Sequence, residues 1–487
     1  MAGDLSLTRR GVLASACAAG AFAALPLSRS SADPIDLGEW SSPFSIGGEA
    51  IHAALMHTGY IVFFDYIEAP GQGDETSYIG TWDYTTGEVG RADYSYPRDV
   101  FCTGHSLLPD GRIFVAGGHD WRNKTEPSAG VAETDIFDPV TKKWTRGPKL
   151  SQKRWYPTVV AMPNGLQYVF GGSDLPGKPA LSVEVYDSVK KTRRRLGSSA
   201  DRQMRLYPHM WLMPNGRIAR AGGGFRQTMY FNPATSKWSS GPNMMVGNRS
   251  LGTSVLLSGA AKVLAFGGNQ GGGVVTRTAE IVDLAATKPA WQYTGSLAFG
   301  RLHANAVVLP DGKVLAVGGG ASGNLDGPVT TAEMYDPATG EWSVMASQVA
   351  GRMYHSTALL LPDGRVFSAG QKGIYENLAE LYSPPYLFKG PRPVIEAAGT
   401  TLRPGQTLAI TSPDAARVTQ VALVRPGSVT HQINTDQRHL FLPHTVSDTT
   451  ITATAPTNRN VISPGRWLVF LLDADGVPSV GKWVRVY

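Results

Sequence analysis

The chain has 487 residues, with 45 Lys and Arg against 39 Asp and Glu and a formal net charge of +6. That charge is spread along the chain apart from the run Lys190-Lys191-Thr192-Arg193-Arg194-Arg195. No aromatic residues interleave with the run, so it reads as a solvated turn and not as a nucleic-acid surface. Glycine is high at 56 residues and charged residues are low at 17%, a profile that suits a turn-rich all-β chain.

The N-terminus reads Ser6-Leu7-Thr8-Arg9-Arg10-Gly11, followed by an apolar, alanine-rich run from Val12 to Leu27. Ser30 and Ala32 are small residues suited to flank a cut after Ala32. A charged start, an apolar middle and a small-residue exit make an export signal over residues 1–32, and the paired arginines point to the twin-arginine route. The apolar run is short for a membrane anchor, and no later segment is long and apolar enough to span a bilayer. The sequence thus predicts a soluble mature protein in the periplasm or outside the cell, of about 455 residues, enough for two or three domains. Cys17 is lost with the signal, and Cys102 remains as the one exported cysteine. It is either a small buried hydrophobe or a free reactive group.

Beyond the signal, a phrase recurs: an apolar run, Pro-Asp-Gly or Pro-Asn-Gly, a second apolar run, then Gly-Gly. It appears at Leu108-Pro109-Asp110-Gly111, Met162-Pro163-Asn164-Gly165, Met213-Pro214-Asn215-Gly216, Leu309-Pro310-Asp311-Gly312 and Leu361-Pro362-Asp363-Gly364. Degenerate copies stand at His57-Thr58-Gly59 and Ser258-Gly259-Ala260-Ala261. Seven copies spaced by roughly fifty residues have the period of kelch-type propellers. Each copy predicts a hairpin, and several add an outer strand ending in a tryptophan such as Trp144, Trp238 or Trp342. These tryptophans read as core. The expectation is all-β: a seven-bladed kelch-type β-propeller over 33–388, then a C-terminal immunoglobulin-like β-sandwich over 389–487. The joint between them is Gly390-Pro391-Arg392-Pro393.

The repeat also places chemistry. Cys102, Tyr156, Tyr207, His303 and His355 each lie nine residues before the turn glycine of their unit. Equal register around one axis makes these side chains converge. A second ruler, Arg-x-Tyr/His, runs through Arg154-Trp155-Tyr156, Arg205-Leu206-Tyr207, Arg301-Leu302-His303 and Arg352-Met353-Tyr354. It selects Tyr354 instead of His355. Neighbours in a regular strand point to opposite faces, so both can face the centre only where the chain is irregular. His303 reads as structural, and the repeated arginines as ties between units. A thiol, phenols and imidazoles suit Cu(II), whereas zinc more often takes cysteine with histidine and non-haem iron two histidines with a carboxylate.

With these residues in view, the chain resembles the galactose oxidase and glyoxal oxidase family of copper-radical oxidases. The matching segments are Phe101-Cys102-Thr103-Gly104, Arg154-Trp155-Tyr156, Arg352-Met353-Tyr354-His355-Ser356 and Thr430-His431-Gln432-Ile433-Asn434-Thr435-Asp436-Gln437-Arg438. The resemblance implies a thioether between Cys102 and the Tyr156 ring. It implies copper held by Tyr156, Tyr354, His355 and His431, with His431 delivered by a C-terminal loop. It implies a small aldehyde or primary alcohol as substrate, Tyr354 as proton acceptor, a Tyr156 radical taking hydrogen from carbon, and O2 reduced to hydrogen peroxide. The galactose-oxidising branch has a tryptophan just after the Gly-Gly of the modified tyrosine's unit, whereas Gly171-Gly172-Ser173 is followed here by Asp174. Trp121 and Phe225 are the candidate substitutes. The lack of an N-terminal carbohydrate-binding domain leans towards the glyoxal-oxidase-like branch. The competing expectations are a kelch-type binding module without chemistry, and a copper protein that either lacks oxidase turnover or turns its oxidase activity on a cell-surface polymer.

Overall fold

The computed structural model describes residues 33–66, 76–123, 125–126, 129–271, 273–323, 326–371 and 376–487. The export signal, residues 1–32 with Cys17, lies outside the described residues. Among the described residues no helix is long and apolar enough to cross a membrane.

Each Pro-Asp/Asn-Gly phrase folds as the tight turn of a hairpin. The glycine takes a left-handed φ, 93° at Gly111 and 82° at Gly312, which glycine adopts without a steric penalty. The preceding Asp or Asn accepts a bond from the amide two residues on, as Asp110 does from Arg112 at 3.1 Å and Asp363 from Arg365 at 2.9 Å. This is the local side-chain bond that makes these residues turn formers. The unit of Cys102 then runs Gly104–Leu107, Ile113–Ala116, Thr134–Asp138, Lys143–Arg146 as four antiparallel strands in chain order. Its two inner strands are buried throughout, while the outermost buries only Trp144. The Trp144 indole donates to Ala92 O of the preceding unit at 2.7 Å, Trp238 likewise to Ala200 O at 2.8 Å, and Trp291 to the Thr228 hydroxyl at 2.9 Å.

The all-β class holds, but the seven-bladed propeller followed by an immunoglobulin-like sandwich is corrected. The described strands pair into nine separate sheets of four to six strands, none closed into a barrel or propeller. The reason is physical: the fifty-residue period dictates one four-stranded unit, and pairing ends at that unit's edges. Two units also break the repeat. The sheet of Ser356–Leu360 recruits Glu39–Trp40 and Phe44–Ser45 from the start of the chain. The sheet of His52–Leu55 recruits Ser428–Thr430 and, beyond it, Ile433–Asn434 from near its end.

First strands of neighbouring units lie side by side. Gly104–Leu107 and Met210–Leu212 flank Trp155–Ala161, and Asn305–Val308 and His52–Leu55 flank Ser356–Leu360. Buried arginines tie four of the units together: Arg154, Arg249 and Arg301 each donate to the first carbonyl of their own Gly-Gly, at Gly171, Gly267 and Gly318, and Arg352 donates to Gly370 O, where Gln371 takes the second place. The Gly-Gly in turn receives the next unit's backbone. A Cβ on Gly318 would stand 2.2 Å from Arg352 O, so no larger residue fits there.

The last two sheets share one core around the fully buried Trp467. Between Gln420–Arg425 and Arg438–Leu442, which pair at Arg425↔Arg438, the chain leaves this core and enters the region of the repeats. The excursion is pinned at its base. Buried Arg425 donates to Asp436 at 3.1 Å and to Leu107 O at 3.0 Å, and Asp436 accepts from Leu107 N at 2.8 Å. His431 sits at its tip.

Candidate metal centre

The irregularity that the two rulers demand is present. Cys102, Tyr156, Tyr207, His303 and His355 all have left-handed backbones, with φ of 59°, 61°, 46°, 57° and 71°. Leu251, nine residues before Ala260 in the degenerate copy, does the same at 60°. A non-glycine residue there costs roughly 1 kcal/mol or more. Six copies at one register mark a required conformation. Its support is a relay between units: Tyr156 N donates to Cys102 O, Tyr207 N to Tyr156 O and His303 N to Leu251 O, each at 2.9 Å. The kink frees consecutive residues from alternation. The rings of Tyr354 and His355 stack at 3.9 Å and both face the centre.

There the Tyr156 and Tyr354 hydroxyls touch. The His431 ring lies 4.8 Å from Tyr156, 5.1 Å from Tyr354 and 4.7 Å from His355. Cys102 packs against Tyr156 in one buried cluster, and its Sγ is 3.9 Å from His431 Nε2. The ligand atoms of Cys102, His355 and His431 all lie within 4.8 Å of one another. Three chain segments of the repeats and the C-terminal excursion thus meet at one point.

Hydrogen bonding settles how His431 presents itself. The Thr430 hydroxyl donates to Ile51 O at 2.9 Å, so its oxygen accepts from His431 Nδ1 at 2.6 Å. Nε2 is therefore left with a lone pair aimed at the cluster, the tautomer that a metal ligand needs. Burial, then the neighbouring His355 and His52, hold the His431 imidazole well below its ordinary pKa, and so neutral. Burial, then the adjacent thiol, push the Tyr156 and Tyr354 phenols up. The Cys102 thiol is pushed up by burial as well. Such a set resists ionising by itself and gains from a bound cation, which reverses that balance. Neutral imidazoles and phenols are also the donors that copper accepts.

Trp121 lies beside His119 and Asp99 on a small cavity of about 40 Å³. Phe225 lies under the Arg220 guanidinium, 3.8 Å away, against the core of Phe170 and Phe231. Neither belongs to the Cys102–Tyr156 cluster. Trp155 does, edge-on to the Tyr156 ring at 4.1 Å. Its position next to Tyr156 in sequence was the available signal. Tyr207 packs on Tyr156 at 4.5 Å and donates to Thr103 O at 2.7 Å. His303 reaches Gln432 at 3.2 Å and faces Tyr354 at 4.8 Å. His52 accepts from Cys102 N at 3.1 Å, and Glu49 stands 3.9 Å from His355 Nδ1. Neither of these two carries a repeat signal.

Known proteins share these features. The family described as "Glyoxal oxidase N-terminus" matches residues 81–383, and "Galactose oxidase-like, Early set domain" matches 392–486. A galactose oxidase of Gibberella zeae is 29% identical over 449 residues, covering 83% of this chain and 64% of that protein. An aldehyde oxidase GLOX of Vitis pseudoreticulata is 28% identical over 442 residues, covering 80% of this chain and 82% of that protein. The chain thus spans less than two thirds of the galactose oxidase's length. A solved fungal alcohol oxidase of the AA5 family, in complex with copper, superposes with a TM-score of 0.82 at 27% identity, covering 93% of this chain and all of that one. The match over residues 81–383 takes in Cys102, Tyr156, Tyr354 and His355, and the chain belongs to the galactose oxidase and glyoxal oxidase family of copper-radical oxidases.

Proposed function

We propose that the protein is a copper-radical oxidase that removes two electrons from a small aldehyde hydrate or primary alcohol and passes them to O2. The carrying observation is the buried meeting of one thiol, two phenols and two imidazoles from four segments. Tyr156, Tyr354, His355 and His431 are the residues that would hold copper. Bound there, copper supplies one of the two electron-accepting centres and a charge that favours phenolate.

The chain supplies the rest. Joining the Cys102 sulfur to the Tyr156 ring removes two hydrogens, which O2 takes up as hydrogen peroxide. The substituted phenol is easier to oxidise than plain tyrosine and stores the second oxidising equivalent. Tyr354 is less buried than Tyr156, and its hydroxyl touches that of Tyr156. It is placed to take the substrate hydroxyl proton while Tyr156 takes hydrogen from carbon. Trp155 against Tyr156 and Phe101 against His355 at 5.4 Å keep water from the reacting groups. A turnover then balances: an alcohol becomes an aldehyde, or an aldehyde hydrate an acid, and O2 becomes hydrogen peroxide.

Residues 33–388 carry four of the five site residues as one unit, and residues 389–487 supply His431. The first 32 residues direct twin-arginine export, so the oxidase works in the periplasm or beyond. A mature chain starting at Asp33 in N-terminal sequencing is the expected result. A second reading starts from the same cluster: Cys102, His355 and His431 can hold a metal through thiolate. Intact mass separates the two. The oxidase reading expects the copper-loaded protein to be lighter by two hydrogens, with Cys102 resistant to alkylation. An alkylatable Cys102 at full mass after metal removal, with no peroxide from glyoxal, methylglyoxal, galactose or simple alcohols, supports the second.

A further inference from the structure

Three of the Pro-Asp/Asn-Gly turns are followed at once by an arginine: Arg112, Arg217 and Arg365. In two of them the turn neutralises it. Arg112 pairs with Asp110 and Arg365 with Asp363, each at 2.6 Å. In the third the acid is replaced by Asn215, and Arg217 has no ion pair among the described residues. The amide keeps the turn, since its oxygen accepts from Arg217 N at 3.0 Å as Asp110 does from Arg112 N. The turn needs only that acceptor, so Asn in place of Asp removes charge and leaves the fold alone. The same exchange recurs in the next turn of this unit. Asn232 accepts from the Ala234 amide at 3.0 Å, where Asp138 and Asp336 accept from Val140 and Ala338 in other units.

These amides open onto one cavity of about 1010 Å³. Arg194, Arg217 and Arg459 line it together with Asn164, Asn215 and Asn232, and among the described residues no Asp or Glu does. Arg194 belongs to the basic run and lies on the outermost strand Thr192–Arg195. Its neighbours Arg193 and Arg195 pair with Glu184 at 3.6 Å and Asp201 at 2.6 Å. Strand alternation turns Arg194 to the other face, towards the Tyr168 hydroxyl and the cavity. Arg459 comes from the C-terminal region. Its loop is clamped onto the turn of Arg217, because Asn458 and Asn460 both donate to Pro214 O, at 2.8 and 3.1 Å. All three guanidinium groups are exposed and none has an ion pair among the described residues. The cavity adjoins the turn end of Trp155–Ala161, whereas Tyr156 stands at the other end. About 20 Å of strand thus separates it from the metal centre.

We propose that this cavity binds an acidic polysaccharide, one that carries carboxylates along its chain, and so holds the protein on such a polymer. The planar fork of arginine matches a carboxylate with two parallel bonds, and amide side chains both donate to and accept from sugar hydroxyls. The volume is at the upper end for a small-molecule cleft. Three cations on three separate elements suit charges spaced along a chain better than a single ion. A single-stranded nucleic acid requires aromatic faces on which its bases stack, and the one aromatic on this wall is the buried Tyr168. The site does not rest on the oxidase reading, since it shares no residue with the metal centre.

Calorimetric titration of the full-length protein with tetragalacturonate at low salt tests this. Saturable binding is expected, weakened about tenfold in Arg217→Gln and in Arg459→Gln, the loss a charge-assisted bond carries. Asn215→Asp should weaken it about as much with the melting temperature unchanged, because it rebuilds the self-neutralised turn of Asp110 and Arg112. Arg112→Gln, which removes an arginine already paired, should keep wild-type affinity. No saturable binding to wild type, or wild-type affinity in either Asn215→Asp or Arg217→Gln, overturns the proposal. So does binding of neutral cellotetraose as tightly as tetragalacturonate, or tighter binding of a DNA oligonucleotide of equal charge, since the carboxylated sugar is then not what the cavity recognises. Binding with the expected losses and no peroxide from any substrate leaves this site standing while the oxidase reading fails.

Discussion

Tyr156 and Leu251 occupy the same place in two copies of one unit. Their φ angles are 61° and 60°, and both amide-to-carbonyl relays run at 2.9 Å, into Tyr156 and out of Leu251. Arg154 with Glu184 and Arg249 with Glu280 build the same buried tie beneath them. Yet Tyr156 is buried against Cys102, Tyr354 and His431, while Leu251 is 39% exposed. The scaffold is therefore generic, and chemistry enters through the side chain placed on it. A fold can host a site in this way without every copy taking part.

The comparison breaks first at the chemistry. Tyr156→Phe and Cys102→Ser should each lower copper-dependent peroxide formation about ten-thousandfold, near 5.5 kcal/mol of barrier, in a coupled assay. Full turnover in either variant would remove the pair from the mechanism. Next comes the scaffold in the unit without chemistry. Arg249→Met leaves Glu280 buried without its cation, although the carboxylate still accepts from the Met245 and Val246 amides. Urea unfolding should show a loss of about 4 kcal/mol. Arg205→Met should cost no more than about 0.5 kcal/mol, because Arg205 is exposed, donates to Ser250 Oγ at 3.1 Å and has no ion pair among the described residues.

Protonation sharpens the comparison at the turn of the Leu251 unit. His439 Nε2 donates to Pro310 O at 2.9 Å, so Nδ1 accepts from the Ser258 hydroxyl at 3.0 Å. The ring thereby clamps the turns of two units to the C-terminal sheets. Burial takes this imidazole down to about 4. Between its unfolded value near 6.5 and 4 the unfolded chain binds a proton that the folded chain does not. Its stabilising share is thus complete above about pH 6.5 and drains away as pH falls towards 4, about 3 kcal/mol in all. Melting temperatures recorded from pH 7 to 4 should fall less steeply in His439→Gln. An identical slope would show that His439 does not titrate with unfolding. The smallest effect lies at Leu251 itself. Asparagine tolerates the left-handed region better than leucine, and Leu251→Asn should stabilise by about 0.5 kcal/mol.

Much of the site could be read from local pattern. The Pro-Asp-Gly turns, the nine-residue register, the Arg-x-Tyr/His spacing and the lone Cys102 together bring Cys102, Tyr156, Tyr354 and His355 among the candidates. They do so because a repeated backbone repeats its geometry, and counting residues is then a ruler in space. The same ruler is silent on whatever arrives from outside the repeat. His431 rests mainly on the resemblance, since its approach depends on Arg425 and Asp436 pinning a loop against Leu107. His52 and Glu49 are neighbours of the site only through packing between units.

The sheets divide along the same line. Period and turn chemistry specify the four-stranded unit because both act within about fifty residues. They do not specify which distant strand covers an open edge, and so Glu39–Trp40 and Ser428–Thr430 joined sheets that the repeat did not predict. Nor do they specify closure, since each sheet ends where its own hydrogen bonds end. Unpaired edges find their partners by long-range contact, which no local spacing encodes.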